Sequence, residues 1–400
     1  MADKGQTTWQ RYVYPGLIFQ SVIIGGGYGT GKELAEYFFG FGPVWGLLAM
    51  CISTFGIWAI VCSVTFEFCR IFRTWDYKSM MQKLLGRGWV YFEICYLILL
   101  TIVLAVVVAS AASNATEVFG LPGWVGIVIL SAGILFLALI PTEKMERHFA
   151  LWSYVLYAVY ALFLILTFVN LSSEIWGNFT NADLVSVRPD ESWFVSGAQY
   201  AFYNLGIIPA IIFSTRHQKS RKEAVGSGLI ASFIGILPGL FLYIGMVSNY
   251  SEILADPDTL PVNLVFEKLG MQWMQIAFVL TLVGTLMETG SAFIKAVTDR
   301  VQTAFLVNKW EFPIWLKPAL AVGLMGLGVF ISQFGLTGLI AQGYGTISWG
   351  FLLVYVLPMA VFGTYDIIKQ KVPIKLDKSE TIYAEALDSV EGFDSSDLVK

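Results

Sequence analysis

Long apolar stretches, separated by short polar segments, make up most of the chain. A transmembrane helix needs about 20 consecutive apolar residues, and stretches of about that length occur ten times. They occupy residues 14–39, 45–69, 89–118, 124–140, 149–171, 193–214, 226–248, 272–298, 314–333 and 336–363. We number them spans 1 to 10. The pattern predicts an all-α integral membrane protein with ten transmembrane helices in a lipid bilayer.

The positively charged residues divide the connecting segments into two sets. If the N-terminus is cytoplasmic, 21 of the 25 Lys and Arg residues fall in segments on the cytoplasmic side and two fall in outer segments. Such an excess is typical of cytoplasmic loops. We therefore expect a multi-pass protein of the cell (inner or plasma) membrane with cytoplasmic N- and C-termini. No cleavable signal peptide is predicted, because the first residues are polar and span 1 is long.

Composition narrows the function classes further. Hydrophobic residues make up 56% of the chain and charged residues 14%, with a mean hydropathy of +0.67, whereas soluble domains are about 25% charged. These values exclude a nucleic-acid-binding protein, a disordered chain and a disulfide scaffold. The four cysteines lack metal-ligand spacing, and the two histidines form no catalytic constellation. We expect a protein that is not an enzyme and holds no resident cofactor.

Span 1 contains an unusual cluster of glycines at its centre. Five of the seven positions from 25 to 31 are glycine, namely Gly25, Gly26, Gly27, Gly29 and Gly31. Each costs about 1 kcal/mol of helix propensity relative to alanine, which predicts a broken helix. The freed carbonyls from Gly25 to Tyr28 suit a cation, and the N–H groups from Gly29 to Gly31, including that of Thr30, suit an anion. The alternative is close helix packing, although these glycines occupy every helix face.

A second break is predicted in span 6, around Asn204, Gly206 and Pro209. Proline removes a backbone donor and restricts the residue before it, and a simple proline kink is the alternative. Spans 1 and 6 are five helices apart and therefore run in opposite directions. Paired interrupted helices in two inverted halves point to the central binding site of a transporter.

Charged residues inside the spans are candidates for the chemistry, since each costs about 2.5–3.5 kcal/mol at the bilayer centre. Lys32 either pairs with Glu36 one turn away or supplies a fixed positive charge at the break. Glu33, Glu288 and Lys295 are candidates for coupling or proton transfer, and Glu288 is also a candidate partner for a substrate amine. The alternative is a buried network that only holds helices together.

Two further patterns suggest ligands. The hydroxyls of Thr289 and Ser291 could complete a sodium site begun by the carbonyls of the first break, because sodium prefers oxygen ligands. Tyr200 and Tyr203 lie near the predicted centre, where aromatic rings could surround an amine. Since 15% of the chain is aromatic, coincidence is the alternative for the tyrosines.

Two short motifs resemble those of a known family. The segment GGGYGTGKELAEYFFGFG at 25–42 and YNLG at 203–206 are similar to the YkvI-like amino acid permeases of the amino acid–polyamine–organocation superfamily. The resemblance implies the leucine-transporter fold, with a first five-helix repeat at 13–171 and an inverted repeat at 193–364 within one domain (1–364), followed by a cytoplasmic tail at 365–400. It also implies a substrate between spans 1 and 6. Sodium-coupled relatives place their ion where Gly25, Tyr28, Thr289 and Ser291 fall. This sequence differs from those relatives because the charged residues Lys32 and Glu33 follow directly after the break in span 1.

Together these features predict a secondary active transporter of a small amino acid or related amine, working by alternating access. The alternative function is a membrane-embedded solute sensor that uses the same pocket without transport. The expected coupling ion is sodium or a proton. The predicted substrate-binding residues are Gly26, Gly27, Gly29, Thr30, Gly31, Lys32, Tyr200, Tyr203, Asn204 and Gly206.

Overall fold

The computed structural model describes residues 8–140, 142–181, 184, 186–208, 211–307 and 310–369. Pro209, residues 1–7 and the tail from 370 to 400 lie outside the described part. Across the described ranges the regular segments are helical and no strand occurs. Helices lie at each predicted span, so the prediction of an all-α integral membrane protein is confirmed. The division into two inverted repeats stays a prediction.

The first half of the chain contains spans 1 to 5. Span 1 follows the short helix Thr8–Tyr12 and consists of three pieces, Tyr14–Ile23, Gly26–Gly29 and Lys32–Phe38. The next elements are span 2 at Pro43–Phe72, a short helix at Tyr77–Leu85, span 3 at Trp89–Glu117, span 4 at Gly123–Leu139 and span 5 at Thr142–Thr180. Span 5 bends at Leu171, whose φ and ψ of −118° and 16° are not helical.

The second half contains spans 6 to 10. Span 6 consists of the helix Trp193–Leu205 and the 3₁₀ segment Ile212–His217. The elements after it are span 7 at Arg221–Met246, two short helices at Tyr250–Ala255 and Pro261–Leu269, span 8 at Gln272–Val307, span 9 at Leu316–Ser332 and span 10 at Leu336–Lys369.

Each apolar stretch contains one or more of these helices. Six described helices are long and apolar enough to cross a membrane, and shorter apolar helices lie at spans 1, 4 and 9. Spans 5 and 8 continue beyond their apolar stretches, to Thr180 and Val307. A helix satisfies its own backbone hydrogen bonds, so it can continue into a polar segment that hydropathy alone would exclude.

The predicted break in span 1 is present. The chain leaves the helix at Ile24, with φ and ψ of −70° and 80°, and Gly25 is extended. Gly31 then adopts a φ of 81°, a left-handed conformation that favours glycine. The Thr30 hydroxyl donates to the Gly26 carbonyl at 2.8 Å and to the Gly27 carbonyl at 3.1 Å. The glycine cluster therefore interrupts the helix twice. Between the two interruptions, the Thr30 hydroxyl forms hydrogen bonds with two carbonyl groups.

The predicted break in span 6 also occurs. The helix ends at Leu205, and the Gly206 N–H donates to the Tyr203 carbonyl at 2.9 Å. A Cβ added at Gly206 would lie 2.6 Å from Cζ of Phe351 in span 10. Gly206 thus allows span 10 to approach the point where the helix ends. The contribution of Pro209 lies outside the described residues.

Small residues let several spans pack closely, which is how membrane helices associate. A Cβ at Gly16 would lie 2.9 Å from Cα of Ala231, and a Cβ at Gly26 would lie 3.1 Å from the Val106 carbonyl oxygen. These contacts pack span 1 against spans 7 and 3. The Gly26 contact lies within the glycine cluster, so that cluster both breaks span 1 and allows close packing.

Two connecting segments cover span 1 on the side that the charge distribution predicts to be extracellular, called the outer side below. The Val187 N–H donates to the Gly40 carbonyl at 2.9 Å, and the Val262 N–H donates to the Thr30 carbonyl at 3.3 Å. We call residues 250–269, which contain the two short helices after span 7, the outer hairpin. It contacts the break in span 1 directly.

Candidate functional site

A small cavity lies between the two interrupted helices, and we call it the central cavity. Its volume is about 20 Å³, which is enough for about one water molecule or a group of that size. Spans 1, 3, 6, 8 and 10 all contribute to its wall, with Val22, Ile23, Gly25, Glu33, Leu99, Val103, Tyr203, Asn204, Ile207, Phe293 and Tyr344.

Glu33 is the one acidic residue among those that line the central cavity. It belongs to the last piece of span 1 and is only 4% exposed. Its Oε2 accepts a hydrogen bond from the Tyr203 hydroxyl at 2.5 Å, which joins span 1 to span 6. A Cβ at Gly27 would lie 2.9 Å from Cδ of Glu33. Gly27 therefore leaves the space into which the Glu33 side chain folds.

Tyrosine rings from three spans cluster around Tyr203, the residue that bonds this carboxyl group. The Tyr203 ring stacks on Tyr344 at 4.5 Å with an interplanar angle of 11°. Its centroid is 5.5 Å from that of Tyr200 and 5.8 Å from that of Tyr37. Tyr344 closes the π-helical segment Leu339–Tyr344, and such segments often occur at functional sites. The structure thus places Tyr37 and Tyr344 beside Tyr200 and Tyr203, and only Tyr203 and Tyr344 of the four line the central cavity.

Asn204 is the other predicted residue of span 6 that lines the central cavity. It is 4% exposed, and its Nδ2 donates to the Tyr200 carbonyl at 2.9 Å. Gly206, also predicted, instead contacts Phe351 in span 10.

Lys32, the neighbour of Glu33, lines a different cavity of about 200 Å³ on the outer side. We call it the outer cavity. The Lys32 ammonium donates to the Pro257 carbonyl in the outer hairpin. Glu36 also lines the outer cavity, but it pairs with Arg188 at 3.1 Å. Neither Lys32 nor Arg188 lines the central cavity where Glu33 lies.

The turn beside Pro257 is held by an aspartate of the outer hairpin. Asp256 accepts hydrogen bonds from the Thr259 hydroxyl at 2.6 Å and from the Asp258 N–H at 3.1 Å. These bonds favour the charged form and lower the pKa of Asp256 below its ordinary value. The carbonyl that Lys32 contacts is therefore fixed by local hydrogen bonds.

The N–H groups predicted to hold an anion are used within the break. The N–H of Gly29 donates to the Gly25 carbonyl at 2.9 Å, and that of Thr30 to the Gly26 carbonyl at 3.3 Å. The N–H of Gly31 donates to the Tyr28 carbonyl at 3.0 Å. Binding of a substrate by these groups stays a prediction.

The four predicted sodium ligands come from spans 1 and 8. The Gly25 and Tyr28 carbonyls accept the backbone bonds just described, and the Thr289 hydroxyl donates to the Thr285 carbonyl at 3.0 Å. Ser291 donates to the Glu288 carbonyl at 3.0 Å. Each oxygen keeps a further lone pair, so a sodium site there also stays a prediction.

The periodicity of span 8 separates two of these ligands. Leu282 lies against Gly29, because a Cβ on Gly29 would overlap its side chain, and Phe293 lines the central cavity. Thr289 lies on the same helix face as these two residues. Ser291 is two positions further, about 200° around the helix, and is fully buried.

Glu288 is not among the residues that line the central cavity. Its Oε1 is buried and has no hydrogen-bond partner among the described residues. Glu288 lies one helical turn after Gly284, and Gly284 contacts the Trp152 ring of span 5. Lys295 lies about two turns further and is partly buried. The structure therefore places Glu33, rather than Glu288, at the cavity between the broken helices.

Several lining residues were not predicted from the sequence. Leu99, Val103 and Phe293 carry no polar signal, since each lies in an otherwise ordinary apolar stretch. Tyr344 lies between Gly343 and Gly345, and that pair of glycines is a signal that could have marked it. Among the described residues no group of three or more His, Cys, Asp or Glu side chains could hold a metal ion.

No family model and no curated protein sequence matches the chain. Three solved structures of a manganese transporter from Eremococcus coleocola are similar to it, one in complex with an aromatic bis-isothiourea substituted compound and two of mutants. In each case the sequence identity is 14%, the TM-score is 0.48, and the match covers 98% of this chain and 95% of that chain. A likeness at this level neither assigns the chain to a family nor identifies a solute.

Proposed function

We propose that the protein is a secondary active transporter of a small amino acid or a related amine. One observation carries the proposal: the Glu33 carboxyl group contacts Tyr203 between the two interrupted helices, at a cavity lined by five spans. Interrupted helices that meet around a polar cavity are typical of secondary transporters.

The position of Glu33 supports a functional role over a structural one. Burial of a carboxyl group inside a membrane protein is unfavourable without a compensating partner. Within the described residues no Lys, Arg or His forms an ion pair with Glu33. A residue needed only to join spans 1 and 6 could make the bond to Tyr203 with a neutral side chain. The charge-bearing group is therefore expected to serve a ligand.

The two cavities support alternating access as the mechanism. The outer cavity is about 200 Å³ and the central cavity about 20 Å³. The helix Lys32–Phe38 contributes Lys32 to the first and Glu33 to the second. Movement of this helix relative to the outer hairpin would connect the cavities, and we propose that this movement admits the solute.

The finer assignments rest on sequence features. The glycine-rich segment at 25–42 resembles the YkvI-like amino acid permeases, which favours an amino acid as the solute. The excess of Lys and Arg in alternate segments favours a cell-membrane protein with cytoplasmic termini. For coupling we propose sodium, held near Gly25, Tyr28, Thr289 and Ser291, or a proton carried by Glu33 or Glu288.

Uptake by purified protein in proteoliposomes tests the proposal. A set of radiolabelled amino acids would be offered with an inward sodium gradient, with an inward proton gradient, and with neither. We expect time-dependent accumulation of at least one of them above protein-free liposomes, increased by one of the two gradients. If a solute binds to the protein but never accumulates, the protein is a sensor and the proposal is wrong.

A further inference from the structure

We propose that Glu33 binds the ammonium group of the transported solute, and that the site selects a primary ammonium over a quaternary one. This inference rests on the proposed function and assigns a chemical class to the solute. It starts from the neighbours of Glu33 in the central cavity. The described Lys, Arg and His residues form no ion pair with this carboxyl group, so a cationic group of the solute would be its charged partner.

The nearest cation in the sequence is directed elsewhere. Lys32 donates to the Pro257 carbonyl and lines the outer cavity, while Glu33 lines the central cavity. Arg188 also lines the outer cavity and pairs with Glu36 at 3.1 Å. Both cations therefore lie on the outer side of the helix that carries Glu33.

The aromatic groups around Glu33 favour a cation as well. Tyr203, whose hydroxyl bonds the carboxyl group, and Tyr344, which stacks on it, both line the central cavity, and Tyr37 and Tyr200 pack against Tyr203. Aromatic rings attract cations through their π faces, and together with a carboxylate they repel an anionic group. Gly25, at the break in span 1, also lines the cavity, and its carbonyl oxygen is an acceptor.

The volume of the central cavity favours a primary ammonium group over a quaternary one. A space of about 20 Å³ accepts a group of about the size of one water molecule. A primary ammonium is of that size and has three N–H donors for the surrounding oxygens. A trimethylated ammonium is much larger and has no donor, so it would require the stacked pair Tyr203–Tyr344 to separate.

Thermal unfolding of the purified full-length protein with matched ligands tests the inference. The probes are leucine, isoamylamine (which lacks the carboxylate), 4-methylpentanoate (which lacks the amine) and the N-trimethylated form of isoamylamine. A ligand that binds the folded protein raises its Tm according to its affinity. We expect stabilisation by isoamylamine, none by 4-methylpentanoate, and at least about tenfold weaker binding of the trimethylated amine than of isoamylamine. Stabilisation by 4-methylpentanoate but not by isoamylamine would overturn the inference.

Variants of Glu33 connect the binding to this residue. We expect Glu33→Gln to weaken isoamylamine binding by at least about thirtyfold, because removal of one member of a buried charge pair costs at least about 2 kcal/mol. Glu33→Asp keeps the charge and should keep the order of the probes. Glu36→Gln removes a carboxylate from the same helix, at the outer cavity, and is the matched control with unchanged binding. If Glu33→Gln is not folded, the order of the four probes on the wild-type protein and on Glu33→Asp still decides.

Two results would assign Glu33 to another ligand and overturn the inference. In the first, sodium chloride alone raises Tm relative to potassium chloride, Glu33→Gln removes that effect, and isoamylamine has none. In the second, Glu33→Gln binds isoamylamine normally but loses the pH dependence of uptake, so the residue carries a proton. Loss of amine binding in Glu33→Gln without any uptake by the wild type would support the inference and contradict transport.

Discussion

Glu33 and Lys32 show how adjacent residues can serve different parts of one site. Successive residues of a helix point about 100° apart, and here Lys32 lines the outer cavity while Glu33 lines the central cavity. Gly31, with its φ of 81°, fixes the direction in which the helix begins. The conformation of one glycine thus determines which charge faces the central cavity.

Gly27 provides the most direct test of this arrangement at the scale of a residue. A Cβ at this position would overlap the Glu33 side chain, whose Cδ is 2.9 Å away. We expect Gly27→Ala to displace the carboxyl group from Tyr203 and to reduce solute uptake by at least about tenfold, a loss of about 1.4 kcal/mol. Uptake in proteoliposomes, normalised to the amount of inserted protein, is the measurement.

Gly56 supplies the control for that substitution. It lies in span 2, and a Cβ there would meet no atom within 4 Å. Gly56→Ala should therefore leave uptake unchanged. Equal activity of Gly27→Ala and Gly56→Ala would show that the position of Glu33 does not matter for transport.

The break in span 1 could be predicted because five glycines act locally through backbone propensity. The ring stack of Tyr203 on Tyr344 could not, because it joins residues 141 positions apart and depends on how span 10 packs. The roles of Glu33 and Glu288 were equally hard to separate. Both are charged residues inside apolar stretches, and only the tertiary structure shows which one faces the central cavity.

At the scale of elements, the tip of the outer hairpin is attached to spans 1 and 10 through the carbonyl group of Pro257. The Lys32 ammonium and the Thr337 hydroxyl both donate to the Pro257 carbonyl, and Val262 donates to Thr30. The body of the hairpin is fixed more firmly, since the Tyr250 hydroxyl donates to the Phe39 carbonyl of span 1. The tip around Pro257 is therefore the part expected to open more easily than the packed spans.

Lys32→Met tests that attachment. The variant keeps the length of the side chain but removes the ammonium donor, so we expect faster amide hydrogen exchange in residues 250–262, with little change in span 7. Lys83→Met, in the short helix Tyr77–Leu85, is the control with an unchanged exchange pattern. Unchanged exchange in the hairpin together with weaker solute binding would place Lys32 on the substrate instead.

A second contact between elements joins span 8 to span 3, on the side of the molecule opposite the outer hairpin. Arg300 pairs with Glu93 at 2.7 Å and lies 4.9 Å from the Tyr77 ring centroid, and the Tyr77 hydroxyl donates to Glu93 at 2.9 Å. The helix Tyr77–Leu85 that begins with Tyr77 covers Cys69, whose Sγ is 3.5 Å from Sδ of Met80. This contact makes Cys69 a native reporter of whether the helix is docked.

We expect Glu93→Gln to increase alkylation of Cys69 by N-ethylmaleimide. Loss of this partly buried pair is expected to cost about 1–2 kcal/mol, which corresponds to about a five- to thirtyfold change in a local opening equilibrium. The rate would be measured by mass spectrometry with Cys51, Cys62 and Cys95 replaced by alanine. Glu174→Gln, at an exposed position of span 5, should have no effect. An unchanged rate in Glu93→Gln would show that the pair does not hold the helix in place.

At the scale of the whole molecule, charge placement predicts the orientation in the membrane. One set of segments holds 21 Lys and Arg residues and the other holds two. This difference predicts that residues 186–192 and the outer hairpin lie outside the cell. The outer cavity would then open toward the source of the solute. The Arg300–Glu93 contact would lie on the cytoplasmic side.

Single-cysteine labelling decides the orientation. Glu191, with a side chain 59% exposed beside the outer cavity, would be replaced in Glu191→Cys. Arg87, exposed on the opposite side, would be replaced in Arg87→Cys, both in a cysteine-free background. We expect a membrane-impermeant maleimide to label the first in intact cells and the second only after permeabilisation. The reverse pattern would place the outer cavity in the cytoplasm, so that the direction of solute entry through it would have to be reversed.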